Sequence, residues 1–111
     1  MKIVINSDYG GFSLSDWAIE AYADRKGIKL KKEKTTCGIT LYTNVDTNED
    51  FGKWDIERND PVLVKIVEEL GGKSFGFAAN LKIVEIPDDV NWEVVDYDGM
   101  EHIAEKHRTW Y

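Results

Sequence analysis

A short loop near the start of the chain holds residue types that bind small anions. Tyr9-Gly10-Gly11-Phe12 lies between a predicted strand and a predicted helix. A glycine pair lets the backbone approach a ligand closely, and the free amides at the start of the following helix favour phosphate. The same residues also fit a tight turn that places Phe12 in the core. The loop, which does not match the dinucleotide-binding fingerprint, therefore predicts either an anion site or a structural turn.

A second group of candidate ligand contacts consists of aromatic, arginine and amide side chains. Aromatic residues make up 12% of the chain and include four tryptophans. A purine nucleotide needs a ring to stack on, an arginine at its phosphate and an amide at its base edge. The side chains that could supply these contacts are Arg58, Phe75, Phe77, Asn80, Arg108 and Trp110. Alternatively, the rings fill a small core, and Arg58 pairs with Glu57 or Asp60.

Catalytic and metal-binding patterns are weak by comparison. His102 and His107 are five residues apart, which turns them away from each other on the helix predicted there. Cys37 is the only cysteine. The segment Asp96-Tyr97-Asp98-Gly99 lacks the sixth-position glycine and the alternating oxygen ligands of a calcium loop. No nucleophile elbow, Walker lysine or zinc spacing is present. We therefore expect a binding protein rather than an enzyme, with no metal ion and no cofactor.

The charge of the chain is unevenly distributed. The net charge is -7, yet residues 25–34 hold six basic residues against Glu33 alone, a local balance of +5. The remainder carries 8 basic and 20 acidic residues, a balance of -12. Such an acidic body argues against a nucleic-acid polymer as partner. The basic segment predicts either a small-anion site or a solvated strand edge whose lysines discourage pairing.

The N-terminal part of the chain predicts a strand followed by a helix. Residues 2–6 alternate in polarity and are β-branched, which is typical of a strand. A helix then begins near Ser13 or Ser15 and ends at Gly27. The residues expected on its apolar face are Leu14, Trp17, Ala18, Ala21 and Tyr22.

The middle of the chain predicts two strands, over residues 28–33 and 39–45, and then a polar loop over 46–54 that should be the most mobile segment. A second helix follows. Asp60 is a good N-cap, Pro61 suits the first helical position, and Gly71 ends the pattern.

The C-terminal part predicts strands over residues 81–86 and 92–97, paired as a hairpin, and then a short helix over 100–107. The strand over residues 2–6 is expected to pair with 81–86 as well. Strands at both ends with helices between them indicate an α+β fold, a small antiparallel or mixed sheet with two to three helices packed on one face. We expect a single ligand-binding domain spanning residues 1–111.

Size and composition also set expectations about location and assembly. No apolar run approaches the ~20 residues of a membrane span, and the apolar stretch after Met1 is too short for a signal peptide. With a single cysteine, this predicts a cytosolic protein without a membrane partner. A core of this size cannot easily bury four tryptophans and five tyrosines, so we expect a dimer or a larger oligomer.

Several segments resemble a family of small phage and prophage proteins, which we identify as the first family of Thoeris anti-defence proteins. The resemblance covers about half the chain and leaves residues 30–56 unmatched. The segments that carry it are Met1-Lys2-Ile3-Val4-Ile5-Asn6, Tyr9-Gly10-Gly11-Phe12-Ser13-Leu14-Ser15, Glu57-Arg58-Asn59-Asp60-Pro61, Leu81 to Pro87, Tyr97-Asp98-Gly99 and Glu105-Lys106-His107-Arg108-Thr109-Trp110.

The resemblance implies a homo-oligomer, a dimer or hexamer, that captures glycocyclic ADP-ribose in the host cell cytosol without cleaving it. Some members of that family also capture cyclic di- or trinucleotides at a separate site. The positions that carry over to this chain are Arg108, Arg58 and the Gly10-Gly11-Phe12 loop. The alternative function is that of an acidic phage protein that inhibits a host protein by binding it directly.

Overall fold

The computed structural model describes residues 1–106, so the predicted site residues Arg108 and Trp110 lie outside the described range. The fold is α+β, as expected, with two α-helices and three small antiparallel sheets among the described residues. The elements in chain order are β1 (Lys2–Asn6), α1 (Asp16–Lys26), β2 (Leu30–Lys34), β3 (Thr40–Asn44), β4 (Asp50–Phe51), α2 (Pro61–Leu70), β5 (Leu81–Glu85), β6 (Trp92–Tyr97) and β7 (Met100–Glu105). Short 3₁₀ helices span Lys53–Asp55 and Gly71–Ser74.

Helix α1 begins and ends where its capping residues predict. The Ser15 hydroxyl accepts a hydrogen bond from the Ala18 N–H, and Gly27 closes the helix in the left-handed region with a φ of 72°. The predicted apolar face is wrong in one respect, because Trp17 is 64% exposed. The helix buries its Ala18 and Tyr22 side, and Trp17 lies just outside that arc.

Helix α2 confirms its prediction at both ends. The Asp60 carboxylate accepts from the Val62 N–H, Pro61 is the first helical residue, and Gly71 follows the last turn. One side of the helix is buried against β1 and α1. Because it is amphipathic and well capped, this element could be read from the sequence alone.

The strand pairing confirms one expectation and corrects another. Strand β1 pairs with β5, antiparallel, from Lys2 opposite Glu85 to Asn6 opposite Leu81. The predicted hairpin between residues 81–86 and 92–97 is wrong, since β6 pairs instead with β7. The helix predicted over 100–107 is also wrong, because Met100–Glu105 is strand β7. Asp98 and Gly99, with φ of 53° and 90°, form the two-residue turn that directs the chain back along β6.

The polar segment 46–54 contains short elements of secondary structure where its composition predicts a loop. Strand β4 pairs with β3, and the Phe51 ring stacks on Tyr22 of α1 with centroids 6.2 Å apart. The Asp55 carboxylate then accepts from the Gly52 N–H at 2.8 Å, which holds the short helix over Lys53–Asp55. An aromatic ring and a capping carboxylate therefore fix a segment whose composition suggests a free loop.

The β6–β7 hairpin contributes no residue to the main hydrophobic core. The core is built from β1, α1, β3, α2 and β5, and β7 packs against β1. The radius of gyration is 15.2 Å. A rounded domain of this length would have a value of about 13 Å. Within residues 1–106, no helix has the length and apolar character needed to cross a membrane.

Candidate functional site

A cleft of about 390 Å³ opens between the loop after β1, the segment that precedes α2, and the β6–β7 hairpin. It brings together three of the residues predicted from sequence, Gly11, Phe12 and Arg58. Its remaining lining residues are Lys53, Trp54, Ile56, Asp96 and Glu101. The loop, the arginine and an exposed aromatic ring thus meet at one place, although they are far apart in the sequence.

The fully buried side chain of Asn6 fixes the loop that forms one wall of this cleft. Its amide nitrogen donates to the carbonyls of Asp8, at 2.5 Å, and of Gly99, at 2.7 Å. Its amide oxygen accepts from the Asn80 N–H at 2.9 Å. One side chain therefore ties the loop after β1 both to the turn of the β6–β7 hairpin and to the residue before β5.

The two glycines of the loop have different roles. A Cβ on Gly10 would lie 1.8 Å from the carbonyl oxygen of Ala78, so this glycine allows two backbone segments to touch. Gly11 has a φ of 87° and open space beside its Cα, on the side of the cleft. Only Gly11 is thus free to approach a ligand, whereas the sequence suggested that role for the pair.

Arg58 is held by contacts on several sides. Its guanidinium carbon lies 3.5 Å from the centroid of the Phe12 ring. Its two terminal nitrogens donate to the two carboxylate oxygens of Glu101 at 2.6 and 2.8 Å. One of them also donates to the Val4 carbonyl at 3.3 Å. The partner is therefore neither of the neighbouring acids considered from sequence but one on β7.

Glu101 is buried and ionised. Burial would raise its pKa, but the hydrogen bonds from Arg58 and from the Asn6 N–H hold the pKa below its ordinary value. The Glu101 side chain is 4% exposed and the Arg58 side chain 22%. The pair joins the hairpin to β1 and to the segment before α2. As a result, Glu101 neutralises most of the positive charge that Arg58 would offer to a ligand.

Lys53 and Trp54 form the outer wall of the cleft. The Lys53 ammonium donates to the Phe12 carbonyl at 2.5 Å, which leaves it further donors. Trp54 is 76% exposed. Its indole lies against Gly52, where an added Cβ would be 3.1 Å from the ring. The backbone therefore supports the indole on one side while most of its surface stays available for stacking.

Trp54 also separates this cleft from a more apolar groove of about 300 Å³. The groove runs between the start of α1 and strand β3, and Lys53 and Trp54 line both cavities. Its apolar lining residues include Leu14, Ile19, Ile39, Leu41 and Phe51. A ligand stacked on the indole could thus reach a polar side and an apolar side.

No protein-family model, curated protein or solved structure matches the chain.

Within residues 1–106, the other residues predicted from sequence do not line the cleft. Tyr9 and Phe77 are 59% and 96% exposed. Phe75 is half-buried and packs against the core, in a bridge with Leu14. Asn80 contributes backbone groups, accepting from the Ser7 N–H and donating to Asn6. Phe75 thus follows the core-filling interpretation of the aromatic residues.

Lys53, Trp54 and Glu101 line the cleft but were not predicted from the sequence. A tryptophan within the polar run 46–54 was the available signal for Trp54, because exposed aromatic rings in polar segments often contact ligands. Glu101 had no such signal, since its role depends on the pairing of β6 with β7, where the sequence predicted a helix. Within residues 1–106, no group of three or more metal-ligating side chains is present.

Proposed function

We propose that the protein binds a nucleotide-like small molecule in this cleft and holds it without converting it. A phage-encoded protein of this kind would sequester a cyclic nucleotide signal of host immunity, such as glycocyclic ADP-ribose, as the family resemblance implies. The observation that carries the proposal is the exposed Trp54 indole, supported from behind by Gly52, beside Lys53 and Arg58.

Each part of a nucleotide has a complementary group in the cleft. The base stacks on Trp54, a contact worth roughly 1–3 kcal/mol per base. The phosphate takes the free donors of Lys53, because Glu101 already neutralises most of the Arg58 charge. Asp96, which is exposed, accepts from a ribose hydroxyl or an exocyclic amine through the oxygen that does not bond the Gly99 N–H.

The charge balance of the cleft favours a ligand of low charge. Lys53 and Arg58 stand against Asp96 and Glu101. A polyphosphate would meet two carboxylates that repel it. A ligand with one or two phosphates and several hydroxyl groups suits this arrangement better, since the carboxylates then act as acceptors.

Holding rather than converting the ligand is consistent with the lining residues. Among those that the structure describes, the cleft contains no serine, cysteine or histidine. Glu101 is unavailable as a general base, because Arg58 binds both of its carboxylate oxygens. Asp96 keeps one free oxygen, which the proposal assigns to a hydroxyl or an amine of the ligand.

A depletion experiment tests the proposal. Protein in molar excess is mixed with glycocyclic ADP-ribose or another candidate nucleotide, passed through a filter that retains protein, and both fractions are measured by mass spectrometry. We expect the free nucleotide to fall and to return with unchanged mass after the protein is heat-denatured. A new mass would indicate an enzyme. A nucleotide that stays free throughout would refute the proposal and favour the inhibitor of a host protein.

A further inference from the structure

Two strand edges of opposite charge are left without a neighbour in the described part of the chain. Strand β2 is an outer strand of the sheet β2-β3-β4, and β6 is an outer strand of the hairpin β6–β7. An unpaired edge presents N–H and C=O groups that can pair with another chain. An isolated two-stranded hairpin is marginal in water, and here β7 packs against β1 while the outer edge of β6 stays open in the described part of the chain.

The charges on these two edges match in sign and in spacing. Strand β2 carries Lys31 and Lys34, three residues apart, and β6 carries Glu93 and Asp96 at the same spacing. All four are exposed, and none of them belongs to an ion pair among residues 1–106. Lysines on an edge oppose pairing with a like strand but favour an acidic one.

We propose that β6 of one copy pairs with β2 of a second copy of the same chain. In the antiparallel register that aligns the charges, Lys31 lies opposite Asp96 and Lys34 lies opposite Glu93. Antiparallel pairs outnumber parallel ones about two- to three-fold, which favours this direction. The same register places Glu33 opposite Val94.

This register also brings apolar residues of the two copies onto one face, with Glu33 between them. Glu33 is the cross-strand partner of Leu41, which is 50% exposed, and Val94 is the partner of Ile103, which is partly exposed. Cross-strand partners share a face of the sheet. Leu41 of one copy and the Val94–Ile103 pair of the other copy therefore share a face, with the Glu33 side chain between them. The hairpin gains its third strand.

The pairing has a consequence for the cleft. Asp96 lines it, so Lys31 of the second copy would stand at its rim and add one positive charge. The contact is heterologous, because it joins different edges of the two copies, and it produces either a closed ring or an open chain. The proposal does not depend on what the cleft binds.

A charge-swap experiment tests this interface. The variants are Lys34→Glu and Glu93→Lys, and their masses are followed by light scattering over a range of protein concentrations. We expect the wild type to associate and each single variant to dissociate about tenfold more readily. Mixing the two variants should restore association, since the carboxylate introduced on β2 of one then faces the ammonium introduced on β6 of the other. Glu105→Lys, on β7, is the control.

Cross-linking fixes the direction of pairing. In a Cys37→Ser background, an oxidised mixture of Lys34→Cys and Glu93→Cys should form a disulfide between copies, whereas Lys31→Cys with Glu93→Cys should not. The reverse result would overturn the antiparallel register. A wild type that remains at 12.7 kDa at every concentration, or one whose mass neither variant changes, would overturn the proposal. The basic edge of β2 would then be a binding surface for a different, acidic protein.

Discussion

Removing the Glu101 carboxylate is the most informative perturbation of the fold around the cleft. Glu101→Ala deletes two charge-assisted hydrogen bonds to Arg58 and one from the Asn6 N–H, all between 2.6 and 2.8 Å. It leaves the Arg58 guanidinium over the Phe12 ring without a counter-charge. The hairpin also loses the side chain that joins it to β1.

The size of the effect follows from the burial of the pair. Breaking a fully buried ion pair by removing one partner costs about 3–5 kcal/mol. Arg58 keeps 22% of its side chain exposed, so water can solvate part of the orphaned charge. We therefore expect the free energy of unfolding to fall by about 2–4 kcal/mol. Glu101→Gln should lose less, because its amide still accepts hydrogen bonds from Arg58.

Urea denaturation followed by circular dichroism measures this loss. The matched control is Glu20→Ala, which removes the partner of Lys32 in a pair whose side chains are 45% and 42% exposed. An exposed pair contributes only about 0–1 kcal/mol. If Glu101→Ala proves no more destabilising than Glu20→Ala, the pair does not hold the hairpin in place and the proposed basis of the cleft is wrong.

Three further predictions concern the same framework. Glu101 and Asp60 both have a lowered pKa in the folded chain, so their contribution to stability is complete above the unfolded carboxyl pKa of about 4 and is lost as the pH falls through the lower folded values. Thermal melts between pH 7 and pH 3 will show this loss. The melting temperature of Glu101→Gln should depend less on pH, and an unchanged slope would contradict this prediction. Gly99→Ala should lower the free energy of unfolding by about 2–4 kcal/mol in the same urea assay, because its Cβ would meet the Tyr9 carbonyl at 2.3 Å and its φ is 90°. Gly38→Ala is the control, since Gly38 also has a positive φ but has open space around it, and it should cost only about 1 kcal/mol. Equal losses in the two variants would refute the packing argument. Asp60→Ala should lower the free energy of unfolding by about 1–2 kcal/mol, since it removes the N-cap of α2 and the acceptor of the Tyr22 hydroxyl. Asp60→Asn should recover the part of this loss that comes from capping. If Asp60→Asn is as unstable as Asp60→Ala, the cap contributes nothing.

Local signals made part of this fold predictable. Asp60, Pro61 and Gly71 mark helix α2 because capping depends on residues close together in sequence. Ser15 and Gly27 do the same for α1. The pairing of β1 with β5 was predictable because both strands are rich enough in apolar residues to be central strands. In each case the information lies within a few residues of the element or in its own hydrophobic pattern.

The prediction for the C-terminal region is wrong for a physical reason. Asp98-Gly99 is a strong hairpin signal, but the residues after it do not show the alternation of a strand. Met100–Glu105 lacks a clear alternation, since Glu101 is buried and His102 is exposed. Glu101 can be buried only because Arg58, distant in sequence, neutralises it. A pattern of polar and apolar residues cannot reveal a tertiary ion pair of this kind.

The candidate site was only partly predictable for the same reason. Gly11, Phe12 and Arg58 were found from residue type, and the fold does bring them together. Lys53 and Trp54 enter the cleft because Phe51 stacks on Tyr22 and anchors the segment before them. That contact lies between α1 and a two-residue strand, which is too short to leave a pattern in the sequence.

Calorimetric titration of glycocyclic ADP-ribose into the wild type, Trp54→Ala and Trp17→Ala tests the central claim most directly. Both tryptophans are exposed, but only Trp54 lines the cleft, so Trp17→Ala controls for the loss of a surface indole. We predict binding to the wild type and to Trp17→Ala with equal affinity. In Trp54→Ala we predict a loss of roughly 1–3 kcal/mol, from the stacking energy of one base. Equal affinity in all three proteins would contradict the claim and move the binding site away from this cleft.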